Sequence, residues 1–393
     1  MAGRESRGTV HYLCFGVEKS AESMLEGVRS AQTKIQYVIE AAKSEGFTVN
    51  VVSSCAVKDA GIFLGRKVRV DERETWKYFT TFRTRFSILN KLSMTAGFLQ
   101  LMYYCFTVPR RGETILIYHS IYYIRPIRWL RLVRELDFIL EIEEVYSLRD
   151  EVAQRFHEQE QAFISMASGY VLVSDVIEEQ VNIGDKPQVV AYGDYRVPPT
   201  FTKLTTPSGR IEVVYAGVVE RSRRAAFIAV EAARHLSSEY RVNILGFGYP
   251  ENIASLRTLI AEVNAACGDE RVVYHGAKMG EEYQSFLQAC HIGLDCHSYN
   301  SMEATAADSC FPNKITAYLA NGLRVVSSRT RPVMESTLSG SLAFYSDDTA
   351  ESVARAIMSI EDFDSHSVRD VVRQHDREFR SSLGLLLDRT RVH

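Results

Sequence analysis

From about residue 210 onward the chain alternates short apolar runs with helical patterns almost without pause, and this alternation restricts the fold more than any other feature. The strand-like runs are E-V-V-Y-A (212–216), R-V-N-I-L (241–245), R-V-V-Y-H (271–275), H-I-G-L-D (291–295), R-V-V-S-S (324–328) and L-A-F-Y (342–345). Apolar strands separated by helices imply a parallel sheet covered on both faces. The first half repeats the pattern less cleanly, in V-H-Y-L-C-F (10–15), F-T-V-N-V-V (47–52), T-I-L-I-Y (114–118), F-I-L-E-I (138–142), Y-V-L-V-S (170–174) and Q-V-V-A (188–191). Residues 192–210 carry three prolines and no periodicity, and so read as a linker. A chain of 393 residues exceeds what one core usually organises. The expected fold is α/β, with two doubly wound domains joined at that linker and facing each other across a cleft.

Composition removes several function classes. Hydrophobic content of 46% with 24% charged residues is globular, and a net charge of −3 argues against a general nucleic-acid binder. The seven cysteines (Cys14, Cys55, Cys105, Cys267, Cys290, Cys296, Cys310) are scattered and form no C-x-x-C pair. Neither a zinc site nor a disulfide framework is indicated, and a reducing cytoplasm fits best. The first residues, M-A-G-R-E-S-R-G, run straight into a strand pattern, so no signal peptide is read.

Open parallel sheets bind ligands at the carboxyl ends of their strands, and that rule selects residues. Gly217 follows the strand that ends at Ala216, with Arg221, Arg223 and Arg224 at the start of the next helix. Cations there oppose the helix dipole unless a bound anion sits among them. Gly246 and Gly248 end another strand in L-G-F-G, and Gly276 ends a third; such glycines suit close approach of backbone to a ligand. The stretch F-P-N-K-I-T-A-Y-L-A-N-G-L-R-V-V-S-S (311–328) reads as a helix opened by Pro312 and closed by a left-handed Gly322, followed by a buried strand. Its start, with Asn313 and Lys314, is a place for a phosphate or another anion.

One segment of the first half stands apart. Arg66 to Lys91 holds eight Lys and Arg against three acids, interleaved with Trp76, Tyr78, Phe79, Phe82 and Phe86. Leu92 to Val108 follows as an uncharged run that is short and polar for spanning a bilayer. The pair reads either as a loop followed by a packed helix or as a surface for an anionic membrane.

Taken in order, V-V-Y-A-G (213–217), I-L-G-F-G (244–248), V-Y-H-G (273–276) and the 311–328 stretch make the chain resemble a GT-B glycosyltransferase of family 4, the bacterial surface- and exopolysaccharide type. I-L-I-Y-H-S (115–120) and I-L-E-I-E-E-V-Y-S (139–147) add to the resemblance. It implies two Rossmann-like domains: residues 1–191 for the acceptor and 211–370 for a nucleotide-sugar donor, with a final helix in 371–393 able to pack back on the first domain. Gly217, Arg221, Arg224, Asn313 and Lys314 would meet the donor diphosphate, Gly276 to Lys278 the base, and Gly27 the phosphates from the other domain, with Gly248 also at the donor. His119 would contact the transferred sugar or acceptor, and Glu143 or Glu144 would position or deprotonate the acceptor hydroxyl. No cofactor or metal is then needed, retention at the anomeric centre is favoured, and the acceptor would be lipid-linked or a glycan at the cytoplasmic membrane face. One departure stands out, because the family's two donor-binding glutamates fall here on Ala317 and Ser309, with Glu303 and Asp308 near but off register. That motivates two alternatives, a non-catalytic GT-B subunit supporting a partner transferase and a sugar-nucleotide epimerase.

Overall fold

The computed structural model describes residues 6–27, 29–149, 155–199, 201, 209–222, 224–296, 310–361 and 364–390. The chain divides into two compact units, residues 1–191 with 377–393, and residues 192–376.

Unit 1 holds the strands β1 (Gly8–Cys14), β2 (Leu25–Glu26), β3 (Phe47–Ser53), β4 (Ala56–Val57), β5 (Gly61–Phe63), β6 (Lys67–Arg69), β7 (Glu74–Tyr78), β8 (Thr81–Arg83), β9 (Thr114–Tyr118), β10 (Phe138–Ile142), β11 (Gly169–Leu172) and β12 (Gln188–Val190). Its helices are α1 (Arg29–Ser44), α2 (Ser87–Thr107), α3 (Ile121–Val133), α4 (Tyr146–Arg149), α5 (His157–Ile164) and α6 (Ile177–Gln180). Among the described residues the main sheet has eight strands in the order β12-β11-β10-β9-β1-β3-β7-β6. All its pairings are parallel except β6 with β7. β9 and β10 are buried almost throughout, as continuous Ile, Leu and Phe runs require.

The segment read as a loop from Arg66 is instead structured, since β6, β7 and β8 fill most of residues 67–83. β7 alternates, with Glu74, Trp76 and Tyr78 turned inward. A glutamate at a buried strand position hides that pattern. It is tolerated because Glu74 accepts from Trp76 Nε1 at 2.8 Å and from Lys43 Nζ at 2.6 Å.

Unit 2 holds β13 (Ile211–Val218), α7 (Ala225–Ala232), β14 (Tyr240–Phe247), α8 (Pro250–Cys267), β15 (Val272–Gly276), α9 (Gly280–Gln288), β16 (Ile292–Asp295), α10 (Asn313–Ala320), β17 (Arg324–Ser327), α11 (Arg331–Met334), β18 (Leu342–Phe344) and α12 (Ala350–Met358). The last helix, α13 (Ser365–Arg389), begins in unit 2 and supplies residues 377–389 to unit 1. Among the described residues the sheet order is β15-β14-β13-β16-β17-β18, all parallel. This is the doubly wound order 3-2-1-4-5-6. α7 is apolar nearly all round, A-A-F-I-A-V-E-A, because it is enclosed between this sheet and α8 and α12. Gly322, with φ +79°, ends α10 in the left-handed region, and its position leaves no room for a side chain beside Phe201 and Ser365.

Candidate functional site

In unit 2 the winding reverses between β13 and β16, so the ends of those strands are where a ligand is favoured. One tyrosine fixes the local arrangement. Tyr318 of α10 lies on Gly293, where a Cβ would come within 2.3 Å of its ring. Its Oη accepts from Ala216 N at 2.8 Å and donates to Leu294 O at 3.4 Å, tying the helix to both strands. Lys314, one turn earlier on the same face, is thereby held at the reversal point. Its Nζ lies 3.5 Å from Asp295 Oδ1 and 4.7 Å from the centre of the Tyr215 ring. Asp295 is fully buried and its Oδ2 accepts from Ser327 Oγ at 2.8 Å. Burial alone would lower the Lys314 pKa, but Tyr215 and Asp295 reverse the effect and raise it, so the ammonium stays charged. About a fifth of the Lys314 side chain remains exposed.

Asn313 is exposed at the first position of α10, whose start has no side-chain cap. Ala317 follows Lys314 by three residues and offers no carboxylate. Arg221 is exposed, and Arg224 is exposed with only a distant pairing to Glu231, at 3.9 Å. Arg224 also has φ 51°, the one positive value outside glycine among the described residues, directly before the uncapped start of α7. Such a conformation costs on the order of 1 kcal/mol and needs a local reason. Arg223, Glu303, Asp308 and Ser309 lie outside the described residues.

The glycines divide by cause. A Cβ on Gly246 would sit 2.0 Å from Gly217 O, and one on Gly248 would sit 2.2 Å from Val219 O. Gly248 therefore allows the close approach of the end of β14 to the residue after β13. At Gly217 a Cβ would meet the Tyr215 hydroxyl at 2.7 Å, which links it to the ring beneath Lys314. Gly276 has φ +72° and open space around it. Lys278, two residues later and just before α9, pairs with Glu282 of that helix and lies 5.5 Å over the Phe286 ring.

In unit 1 the corresponding reversal is between β1 and β9. Gly27 packs against Val17, where a Cβ would meet Cγ2 at 2.9 Å, and Gln32 bonds both N and O of Val17 at 2.8 Å. Glu141 lies inside β10 and is fully buried. Tyr12 donates to its Oε2, while Oε1 has no hydrogen-bond partner among the described residues. Burial first, and then the neighbouring Glu143, push its pKa up to about 8. Glu143 Oε1 lies 3.0 Å from Nζ of Lys34, which is itself buried and donates to Ala191 O at 2.5 Å. Glu144 is partly exposed and its carbonyl accepts from His119 Nδ1 at 3.0 Å.

His119 lies just past the end of β9. It is 2% exposed, with Nε2 3.3 Å from Glu160 Oε1 and its ring between Tyr146 and Phe163. Burial lowers its pKa, opposed by Glu160 and the Glu144 carbonyl. The ring is thus enclosed by unit 1, with Nε2 buried and without a hydrogen-bond partner among the described residues.

Lys34, Tyr12 and Asp295 were not legible as site residues. Lys34 interrupts the apolar stripe of α1 formed by Ala31, Ile35 and Val38, and a lysine on a buried helical face was the available signal. Among the described residues no three His, Cys, Asp or Glu side chains gather as metal ligands.

No family model matches the sequence, and no curated protein matches it. Solved structures match along the whole chain. An alpha,alpha-trehalose-phosphate synthase (UDP-forming) from Burkholderia xenovorans, in complex with glucose-6-phosphate, aligns over 97% of this chain and 98% of its own at 9% identity, with a TM-score of 0.66. HepE of Anabaena, in complex with UDP, aligns over 98% and 99% at 10% identity, with a TM-score of 0.63. Sucrose-phosphate synthase from Thermosynechococcus elongatus aligns over 97% and 95% at 13% identity, with a TM-score of 0.58. The fold is GT-B, built from two Rossmann-like α/β units.

Proposed function

We propose that the protein is a glycosyltransferase that moves a sugar from a nucleoside-diphosphate sugar to a lipid-linked or polysaccharide acceptor, without a metal ion and with retention at the anomeric centre. The observation that carries the reading is Lys314, held charged in the uncapped first turn of α10 at the reversal point of the unit 2 sheet. Cleaving a sugar–phosphate bond leaves charge on the diphosphate, and fixed amides with nearby cations stabilise it. Lys314, Asn313, Arg221, Arg224 and the backbone at Gly217 take that role, with Gly276 and Lys278 toward the base and Gly27 toward the phosphates. The UDP-forming synthase and the UDP-bound HepE make uridine donors the first to test. Within the class, the 311–328 stretch favours family 4. Glu143, oriented by Lys34, and Glu144 are assigned to the acceptor hydroxyl.

Peripheral contact with an anionic membrane through residues 66–108 belongs to the same reading. Among the described residues no helix is long and apolar enough to cross a membrane. α2 nevertheless exposes Ile88 (79%), Leu92, Leu99, Tyr103 and Phe106, and the adjoining α3 exposes Trp129 and Leu132. Gly97 approaches Tyr122, and Arg134 donates to Cys105 O and Phe106 O, so the two helices form one surface. Residues 62–134 hold fourteen Lys and Arg against four acids in a chain whose net charge is −3. Apolar side chains among cations match the interface of an acidic bilayer.

The test is a thermal-shift panel of UDP-, GDP- and ADP-sugars. A true donor at 100 times its Kd stabilises by about 2.7 kcal/mol. Acceptor-dependent release of nucleotide then marks a transferase, and conversion of the sugar nucleotide without acceptor marks an epimerase. A non-catalytic subunit is the second reading, favoured by Ala317 in place of a carboxylate, and predicts no shift with any donor.

A further inference from the structure

Away from both strand-end regions, unit 1 contains a cavity of about 370 Å³ beneath the carboxyl-terminal half of α2. The sheet supplies Asn50, Thr75 and Lys77 to its floor, and the edge strand supplies Lys67. α2 and the end of β7 contribute Tyr103, Val108 and Phe79. Its size is that of a small-molecule site. Two features separate it from an ordinary packing gap. Lys67 and Lys77 are directly paired across the antiparallel β6–β7 ladder, so two like charges stand opposite each other, a destabilising arrangement. Neither lysine has an acid or any other hydrogen-bond partner among the described residues, and the side chains of Asn50 and Thr75 have none either. Glu74, the acid within β7, is already committed to Trp76 and Lys43. An apolar wall thus faces a polar floor with two uncompensated ammonium groups.

We infer that this cavity binds an anionic amphiphile, a phosphate ester whose oxygens bridge Lys67 and Lys77 and whose apolar chain or ring lies against Phe79, Tyr103 and Val108. One doubly or singly charged phosphate relieves the repulsion between the lysines, and the hydroxyl- and amide-bearing floor satisfies its remaining oxygens. The site is distinct from the donor and acceptor regions and does not depend on sugar transfer. The ester is either the headgroup of a membrane lipid, delivered beside the exposed face of α2, or a free phosphomonoester.

Calorimetric titration of the full chain with octyl phosphate, octyl glucoside and inorganic phosphate, all below micelle-forming concentrations, tests the inference. Octyl phosphate should saturate one site, and the neutral amphiphile and bare phosphate should each bind at least tenfold more weakly. The double variant Lys67→Gln/Lys77→Gln should weaken octyl phosphate by at least tenfold while melting no lower than the parent, because a repulsive pair is removed. Tyr103→Glu, at a largely exposed position, should weaken it by a similar factor through charge alone. Replacing octyl phosphate with dihexanoylphosphatidylglycerol identifies the source: tighter binding names a lipid headgroup, weaker binding a free monoester. Equal binding of octyl glucoside, or octyl phosphate affinity unchanged in both variants, overturns the site.

Discussion

Unit 2 and unit 1 are wound by the same rule and yet carry opposite chemistry at the ends of their central strands. Around β13 and β16 unit 2 presents Lys314, Arg221 and Arg224 with open helix starts, a setting for an anion. Around β1, β9 and β10 unit 1 holds Glu141, Glu143 and His119, enclosed and bound to Tyr12, Lys34 and Glu160. Topology decides where each sheet can bind; the residues decide what it can bind. Changes at the exposed Arg221 and Arg224 should therefore alter nucleotide affinity without altering the pH dependence of stability, and changes in unit 1 acids should do the reverse.

The largest expected effect breaks unit 2 itself. Gly246→Ala forces a Cβ into Gly217 O and an unfavourable φ of +157°, so a loss of roughly 3 kcal/mol or more is expected in denaturant unfolding. Gly276→Ala, with the same sign of φ and open space, should cost only about 1 kcal/mol. Equal losses would contradict the close-approach account of Gly246 and Gly248.

Next is the buried acid of unit 1. The Glu141 carboxyl is held up to about 8, against an ordinary value of 4.5. The folded chain therefore keeps a proton that the unfolded chain releases, and the stability this group confers is full below about 4.5 and lost as pH rises toward 8. That decline should be on the order of a few kcal/mol, and Glu141→Gln should flatten it while leaving nucleotide affinity unchanged. A stability profile with the same slope in both proteins would place the proton elsewhere.

The outer face of unit 1 gives a smaller effect. Ile88→Glu/Leu92→Glu removes two exposed apolar groups and adds two negative charges, so affinity for phosphatidylglycerol-containing vesicles should fall about thirtyfold, or roughly 2 kcal/mol. The melting temperature should be unchanged. Sedimentation of the parent as a dimer without vesicle binding would instead assign this face to a second copy of the chain.

How far the sequence revealed these features depended on whether neighbours in sequence were also neighbours in space. Thr114–Tyr118 and Phe138–Ile142 are strands with the boundaries their apolar runs suggest, because burial on both faces selects near-continuous apolar runs, which the one acid, Glu141, does not interrupt. Gly322 takes its left-handed turn, and α10 starts one residue after Pro312 instead of at it. The β6–β8 insert was unreadable because its strands are three to five residues long and their inward positions include Glu74. The enclosure of His119 is not legible in the sequence because it comes from Phe163 and Glu160, more than forty residues away. Lys34 and Asp295 escaped for the same reason: their partners, Glu143 and Lys314, are brought near only by the sheet order.

The most direct measurement is calorimetric titration of UDP, and then of the donor that gives the largest thermal shift, into the parent protein and Lys314→Ala. Affinity should weaken by more than tenfold in the variant, and the ligand-free variant should remain folded but melt lower than the parent, because the buried Asp295 loses its cation. Unchanged affinity in a folded Lys314→Ala protein would show that the diphosphate is not held at the reversal point of unit 2.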